Sequence, residues 1–461
     1  MKISSKNIGA EHGATRSPLP VGLDRKTRIY SMKKKHPKGL AILFFTEMWE
    51  RFGFYIIMAV FVLYMDKEFG WSDSRKGDFY GWFLGAVYFI PLIGGWIGDR
   101  FMGQINTIRL GAISMLFGYV CLAVSSLDRI IFFFIGLILI AWGTGIFKVN
   151  MSVLVGNLYR EKPELKDAGF NIYYMGVNLG AALAPLAATV IYNIFHNYQM
   201  SFWAAAAGLI ICLIIIQAGK KSLYGADNLK SPHLKNDVGS GIDDKNYVMP
   251  KKEVRERIAT LITLFIIVIF FWVAFYQNGF ALTLFAERST RVFSFLRPET
   301  YQFFNPFFIL VLTPVLLSYF GKLAHSGKEP STPVKIFIGM LIMGISMLVM
   351  VWASAAGGDR DGNNMSPVWL ITTYFFVTLS EIMISPMGQS FVSKVSPKKI
   401  QGLMMGGWFA ATALGSYASG LLGKFYSDFS HHEYFLILTG LLFFSAVLVL
   451  LFLKKLKRFA A

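Results

Sequence analysis

Long apolar runs alternate with short polar breaks along most of this chain. Twelve such runs stand out, at roughly 39–65, 77–98, 106–126, 130–158, 168–195, 200–219, 257–285, 300–320, 333–354, 368–395, 401–423 and 433–453. A bilayer core about 30 Å thick takes about 20 mainly apolar residues per spanning helix. Inside lipid the backbone must satisfy its own hydrogen bonds, so each run predicts a membrane helix. The alternation expected of barrel strands is absent. The pattern predicts an all-α membrane protein with twelve transmembrane helices.

The polar breaks organise these helices. After six runs comes one hydrophilic stretch, 220–256, rich in Gly, Asp, Asn, Pro and Lys, and then six more runs. Such a composition reads as a flexible linker. The expected parts are a basic tail (1–38), a six-helix bundle (39–219), the linker (220–256), a second bundle (257–453) and a short tail (454–461). Two six-helix halves resemble the major facilitator architecture, in which a substrate site lies between the halves near the midplane.

Charge refines the picture. Of 461 residues only 16% are charged, against about 25% in soluble domains. The net charge of +18 would suit nucleic acid, but its placement argues otherwise. Basic residues gather in the first tail (Arg25, Lys26, Arg28, Lys33, Lys34, Lys35, Lys38), around the linker (Lys220, Lys221, Lys251, Lys252, Arg255, Arg257) and at the end (Lys454, Lys455, Lys457, Arg458). With an even helix count these segments share one side, and the positive-inside rule makes both termini cytoplasmic. The location expected is the inner (cytoplasmic) membrane. The polar first tail runs straight into a full-length span, so no cleavable signal is expected. Cys121 and Cys212 lie in apolar runs and read as packing residues.

At the end of the second run stands GGWIGDRFMG, residues 94–103. Small residues there allow close helix approach. Asp99 and Arg100 then sit at the membrane edge, where charges can bridge helices. The stretch resembles the loop signature of the major facilitator superfamily, which implies a cytoplasmic latch built on Gly95, Asp99 and Arg100.

Five ionisable residues fall well inside the runs. In TEMWERFGFY, Glu47, Glu50 and Arg51 are three and four positions apart and share one helix face. Lys148 stands twelve residues before Arg160, about 18 Å deep and too far for snorkelling. Glu381 is near the middle of the tenth run. Each charge costs about 2.5–3.5 kcal/mol at the bilayer centre, so the five are expected to face each other or water in an internal polar cavity. Three acids face two bases, and the odd carboxylate calls for a proton or a cationic ligand group.

TEMWERFGFY resembles the ExxERFxYY signature of the proton-dependent oligopeptide transporter (POT) family. FNIYYMGVNLGA (170–181), GTGIFKVN and SPKKIQGLMMGGWFAATALGSYASG are similar to further segments of that family. The resemblance implies a proton-coupled symporter importing di- and tripeptides by alternating access. It implies no cofactor beyond the proton as coupling ion, membrane lipid as surroundings and action as a monomer. Carried onto this sequence, it places proton coupling on Glu47, Glu50, Arg51 and Lys148. Arg51 and Lys148 then also face the peptide carboxylate. Glu381 faces the peptide amino terminus, assisted by Asn178 and Asn305, while Tyr55, Tyr88, Trp272, Ser385 and Trp408 line the pocket. The chemistry of a short peptide zwitterion agrees, since a basic and an acidic pole suit its two ends and aromatic walls tolerate varied side chains.

Departures from the family pattern matter. Met58 and Tyr276 stand where many members carry an arginine and a glutamate that pair at an outer gate. Both partners are absent together, which leaves no orphan charge. An apolar or hydrogen-bonded outer closure is therefore expected. Phe54 replaces the first Tyr of the YY pair, and Val149 follows Lys148 where Pro is usual.

A carrier of another anion or drug on the same scaffold, or a nutrient receptor, remains an alternative. An enzyme is not expected. His12, His36, His196, His233, His325, His431 and His432 all fall in tails, loops or run ends, so neither a metal cluster nor a serine–histidine pair is in view.

Overall fold

The computed structural model describes residues 35–227, 249–359 and 361–459. The basic residues Arg25 to Lys34 and most of the expected linker lie outside them. Each apolar run is helical, and no strand occurs among the described residues. In order these are α1 (Gly39–Phe69), α2 (Asp73–Phe89, prolonged by Pro91–Ile97 and a π-helical turn Gly98–Met102), α3 (Gln104–Ala123), α4 (Ile130–Leu158), α5 (Lys166–Phe195) and α6 (Gln199–Leu223). After the linker come α7 (Lys251–Phe275, then a 3-10 turn Tyr276–Gly279 and Ala281–Arg288), α8 (Phe304–His325), α9 (Thr332–Ala356), α10 (Pro367–Val395), α11 (Gln401–Gly423) and α12 (His431–Leu451).

Local chemistry sets the boundaries. Gly70, with φ of 59°, accepts the left-handed turn that ends α1. Ser72 then caps α2, accepting from the Arg75 backbone N–H. Gly103, with φ of 73°, turns the chain from α2 into α3, where the Asp227 carboxylate accepts from the Ile105 backbone N–H at 3.1 Å. Ser430 and Glu433 form a capping box at the start of α12.

Eleven of these helices, among the described residues, are long and apolar enough to cross a membrane. The remaining one, α11, has 23 residues but too many glycines and polar residues to match them in hydropathy. Its position explains this. It packs between α2 and α7, so it trades lipid contact for close helix approach. A Cβ on Gly420 would lie 2.3 Å from Gly81 on α2, and one on Gly415 would lie 2.5 Å from Trp272 on α7.

Because successive helices run in opposite directions, the bundle has a linker end and a far end. Contacts between the first six and the last six helices gather at the far end. Besides the α2–α11 glycine seam, Thr189 bonds Thr300 at 2.6 Å, Tyr198 donates to Glu299 at 3.2 Å, and Arg297 covers the Tyr192 ring at 4.1 Å.

Candidate functional site

α1 brings its three charged residues together, Glu47 sharing a face with Glu50 and Arg51 by spacing and the long Arg51 side chain reaching its neighbour Glu50. Arg51 Nη2 donates to Glu50 Oε1 at 2.8 Å, Nε donates to Glu50 Oε2, and Nε lies 3.2 Å from Glu47 Oε1. All three side chains are buried. One planar guanidinium thus serves two carboxylates, the geometry at which Arg exceeds Lys. Tyr173 of α5 flanks Glu47, whose second oxygen has no hydrogen-bond partner.

Lys148 on α4 faces this group electrostatically, but its ammonium has no ion-pair partner among the described residues. It stands over the Tyr88 ring at 5.2 Å, a cation–π contact. Direct pairing with Glu47 or Glu50 across the α1–α4 interface would have answered the sequence pattern equally well. The structure gives those acids to Arg51, because a side chain on the same helix reaches them without spanning the gap.

Glu381 lies 14 residues from either end of α10, about 21 Å along the helix. Asn305 of α8 donates to Glu381 Oε2 at 2.8 Å and to Thr378 at 3.1 Å. No cation pairs with Glu381 among the described residues. The charge count therefore resolves by location. Two acids and two bases balance on α1 and α4, and the carboxylate left over is Glu381. A half-buried carboxylate deep in a membrane helix, held only by a neutral amide, needs a proton or a ligand cation to offset its desolvation.

Aromatic residues link the poles. Tyr55 and Tyr88 lie within electrostatic reach of both Arg51 and Glu381, and Tyr174 and Tyr276 within reach of Glu381. Tyr276 stacks on Trp272 at 5.7 Å and meets Tyr88 at 5.4 Å. Trp272 leaves its indole N–H without a partner. Two expected residues are placed differently. Trp408 is 1% exposed and packs so closely on α10 that a Cβ on Gly388 would lie 2.1 Å from its ring, so here it is core and not wall. Asn178 donates to the Tyr174 carbonyl of its own helix at 2.9 Å, not to Glu381. Ser385 is half-buried, one turn along α10 from Glu381.

At the linker end, Gly94 and Gly98 press against α4, where Asn150 donates to the Gly94 carbonyl at 3.0 Å. A Cβ on Gly95 would lie 3.1 Å from the Val149 side chain. Asp99 accepts from Gln104 at 2.8 Å, and Arg100 is exposed. These contacts stay within the first six helices.

The expected outer closure needs correction. Around Met58 and Tyr276 the contacts are indeed hydrogen bonds, Gln302 to the Met58 carbonyl at 2.9 Å and Tyr80 to the Tyr276 carbonyl at 2.7 Å. Beside them, however, lies an ion-pair cluster. Asp73 of α2 takes a two-pronged pair from Arg288 of α7, both contacts at 2.8 Å, together with Lys76 at 2.8 Å and a short bond from Ser427. Lys76 is fully buried and also bonds Asp66, while Lys424 meets Asp78 at 2.9 Å. Sequence reading passed over these residues because each stands at a helix end, where charges are ordinary. The Asp73–Arg288 and Asp78–Lys424 pairs each join one half to the other.

Comparison with known proteins agrees with this architecture. The POT family profile matches residues 105–239 and 233–437. The chain belongs to the POT family. It is a multi-pass membrane transporter of the major facilitator fold and not an enzyme. A peptide transporter of Yersinia enterocolitica is 31% identical over 84% of this chain and 88% of its own, and an uncharacterised Bacillus subtilis transporter is 31% identical over 87% and 92%. Dipeptide and tripeptide permease A of Escherichia coli is 28% identical, covering 84% and 85%. Among solved structures, a peptide transporter of this family in complex with alafosfalin superposes with a TM-score of 0.82 at 27% identity, covering 95% of this chain and all of that one. A family member holding 5-aminolevulinic acid gives 0.79 at 26% identity over 91% and 97%.

Proposed function

We propose that this POT-family protein is a proton-coupled symporter that imports di- and tripeptides across the cell inner membrane. The observation that carries the reading is the pair of opposed poles. Arg51 and Lys148 come from the first six helices and the unpaired Glu381 from the last six, with Tyr55 and Tyr88 in reach of both sides. A peptide zwitterion supplies a carboxylate for the first pole and an ammonium for the second. Relatives named as dipeptide and tripeptide permeases support the substrate class, and amino-group-bearing ligands on related structures support an acidic pole.

In this reading Arg51 and Lys148 hold the peptide carboxylate, and Glu47 and Glu50 exchange the coupling proton as Arg51 turns between them and substrate. Glu381, aided by Asn305 and with Asn178 nearby, holds the ammonium. Trp272, Ser385 and, once the halves move, Trp408 bound the side-chain pockets. No cofactor takes part; the proton is the coupling ion. The halves 39–219 and 257–453 rock about the site as a monomer, joined by the linker 220–256. With both termini, 1–38 and 454–461, in the cytoplasm, far-end contacts make this the cytoplasm-facing state. The latch around Gly95, Asp99 and Arg100 engages only in the opposite state.

A neutral zwitterion moving with one proton carries net charge, so uptake draws on both voltage and pH. A potential of 100 mV supplies about 2.3 kcal/mol per charge and one pH unit about 1.36 kcal/mol, together about 500-fold accumulation. The test is labelled dipeptide uptake in proteoliposomes with each gradient imposed and then both collapsed. Concentrative uptake is expected to vanish on collapse; accumulation that persists unchanged refutes proton coupling.

A further inference from the structure

The basic excess of the chain finds no use in the transport site. Part of it is gathered by the fold at the linker end of the last six helices. After α12 a break at Phe452 leads into a short helix, Leu453–Lys457. Leu456 is 1% exposed and pins this helix to the protein, so Lys454, Lys455 and Lys457 point outward and are exposed. The start of α7, about two hundred residues earlier in the chain, lies alongside. Arg458 pairs with Glu256 at 2.9 Å, and Arg257 covers the Phe459 ring at 5.0 Å while donating to the Val395 carbonyl at 3.1 Å. Lys251, Lys252 and Arg255 are exposed there too.

The acids of this corner are already neutralised, Glu256 by Arg458 and Glu253 by Arg257 at 2.8 Å. Six cations, Lys251, Lys252, Arg255, Lys454, Lys455 and Lys457, have no carboxylate partner among the described residues. Just before them Leu450, Leu451 and Phe452 are exposed apolar side chains ending a membrane helix. The ammonium groups therefore sit where hydrocarbon gives way to headgroups. We propose that this two-part basic patch binds the phosphate headgroups of anionic phospholipids.

The geometry favours lipid over a soluble polyanion, because the patch adjoins lipid-facing residues and is held against the bundle by Leu456. The proposal is independent of which solute the transporter carries. Its test uses the full-length protein in nanodiscs containing spin-labelled phosphatidylglycerol or phosphatidylcholine, with protein-immobilised lipid read by EPR. The parent is expected to retain the anionic lipid about five-fold over the zwitterionic one at low salt, the gain of one lysine near an anionic surface, and to lose that preference in high salt. Lys454→Gln/Lys455→Gln/Lys457→Gln is expected to bring retention of the two lipids close together. A control of equal charge loss at the same end, Lys322→Gln/Lys328→Gln/Lys398→Gln, is expected to keep the preference. All six lysines are exposed, so both variants retain the fold. Unchanged preference in the tail variant, or an equal loss in the control, overturns the proposal.

Discussion

Asp73 is the hub at which α2, α7 and the end of α11 meet, so replacing it tests whether ion pairs hold the far end shut. Asp73→Asn keeps the size of the side chain and removes the charge shared by Lys76 and Arg288. Lys76, fully buried, would retain Asp66; Arg288 would retain the Ser427 hydroxyl at 3.3 Å and, as its one carboxylate among the described residues, Asp66 at 3.8 Å. Removing one partner of a buried pair costs about 3–5 kcal/mol, whereas an exposed pair is worth about 0–1 kcal/mol. The side chains of Arg288 and Asp73 are 22% and 4% exposed, and Arg288 keeps a weaker contact to Asp66, so an intermediate loss of about 2 kcal/mol is expected. It falls on the closed state alone, since opening hydrates the charges on both sides. The ratio of open to closed far ends should rise about 30-fold. Pulsed EPR between nitroxides at Leu127→Cys and Asn364→Cys, exposed far-end sites in opposite halves, reads this directly once Cys121 and Cys212 are replaced. Arg288→Gln should act alike, and the double variant should add little to either single change, because both remove one interaction. Distance distributions that do not move in Asp73→Asn refute an ionic closure.

Other outcomes follow from the site. Glu381→Gln keeps the Asn305 contact but removes the acidic pole, so competition assays should show free-amine peptides losing their advantage over amino-blocked ones; an undiminished preference removes Glu381 from that role. Lys148→Ala should abolish gradient-driven uptake while sparing counterflow, and Lys148→Arg should restore little, since a guanidinium differs in shape over the Tyr88 ring. Normal driven uptake by Lys148→Ala defeats the assignment. Gly420→Ala places a methyl group within 2.3 Å of the Gly81 backbone, so the α2–α11 seam must splay. The same EPR pair should then report an opened far end, and an unaltered distance shows that the seam yields without opening.

Much of the candidate site was legible in the chain because lipid penalises charge. A carboxylate in the middle of an apolar run stands out against its surroundings, which is why Glu47, Glu50, Arg51, Lys148 and Glu381 could be picked by position alone. The family motifs then related them to one another. What the chain could not show is which partner each charge takes. Four residues offered several pairings of similar reach, and only the placement of α4 against α1 left Lys148 over Tyr88 and gave both acids to Arg51. Trp408 likewise reads as a wall or as core until α10 is seen packed on its ring.

The sequence by itself determined the membrane class, the helix positions and the deep charges, since hydropathy and backbone satisfaction act locally along each run. Tertiary structure alone decided the far-end lock. Asp73, Lys76, Arg288 and Lys424 are unremarkable at their own helix ends, and the Asp73–Arg288 and Asp78–Lys424 pairs form only when helices from opposite halves converge. The same holds for the basic corner, where α7 and the last residues meet across about two hundred positions of sequence. Local patterns report the solvent a residue prefers; pairing energies depend on distance, and distance between remote segments is set by how the helices pack.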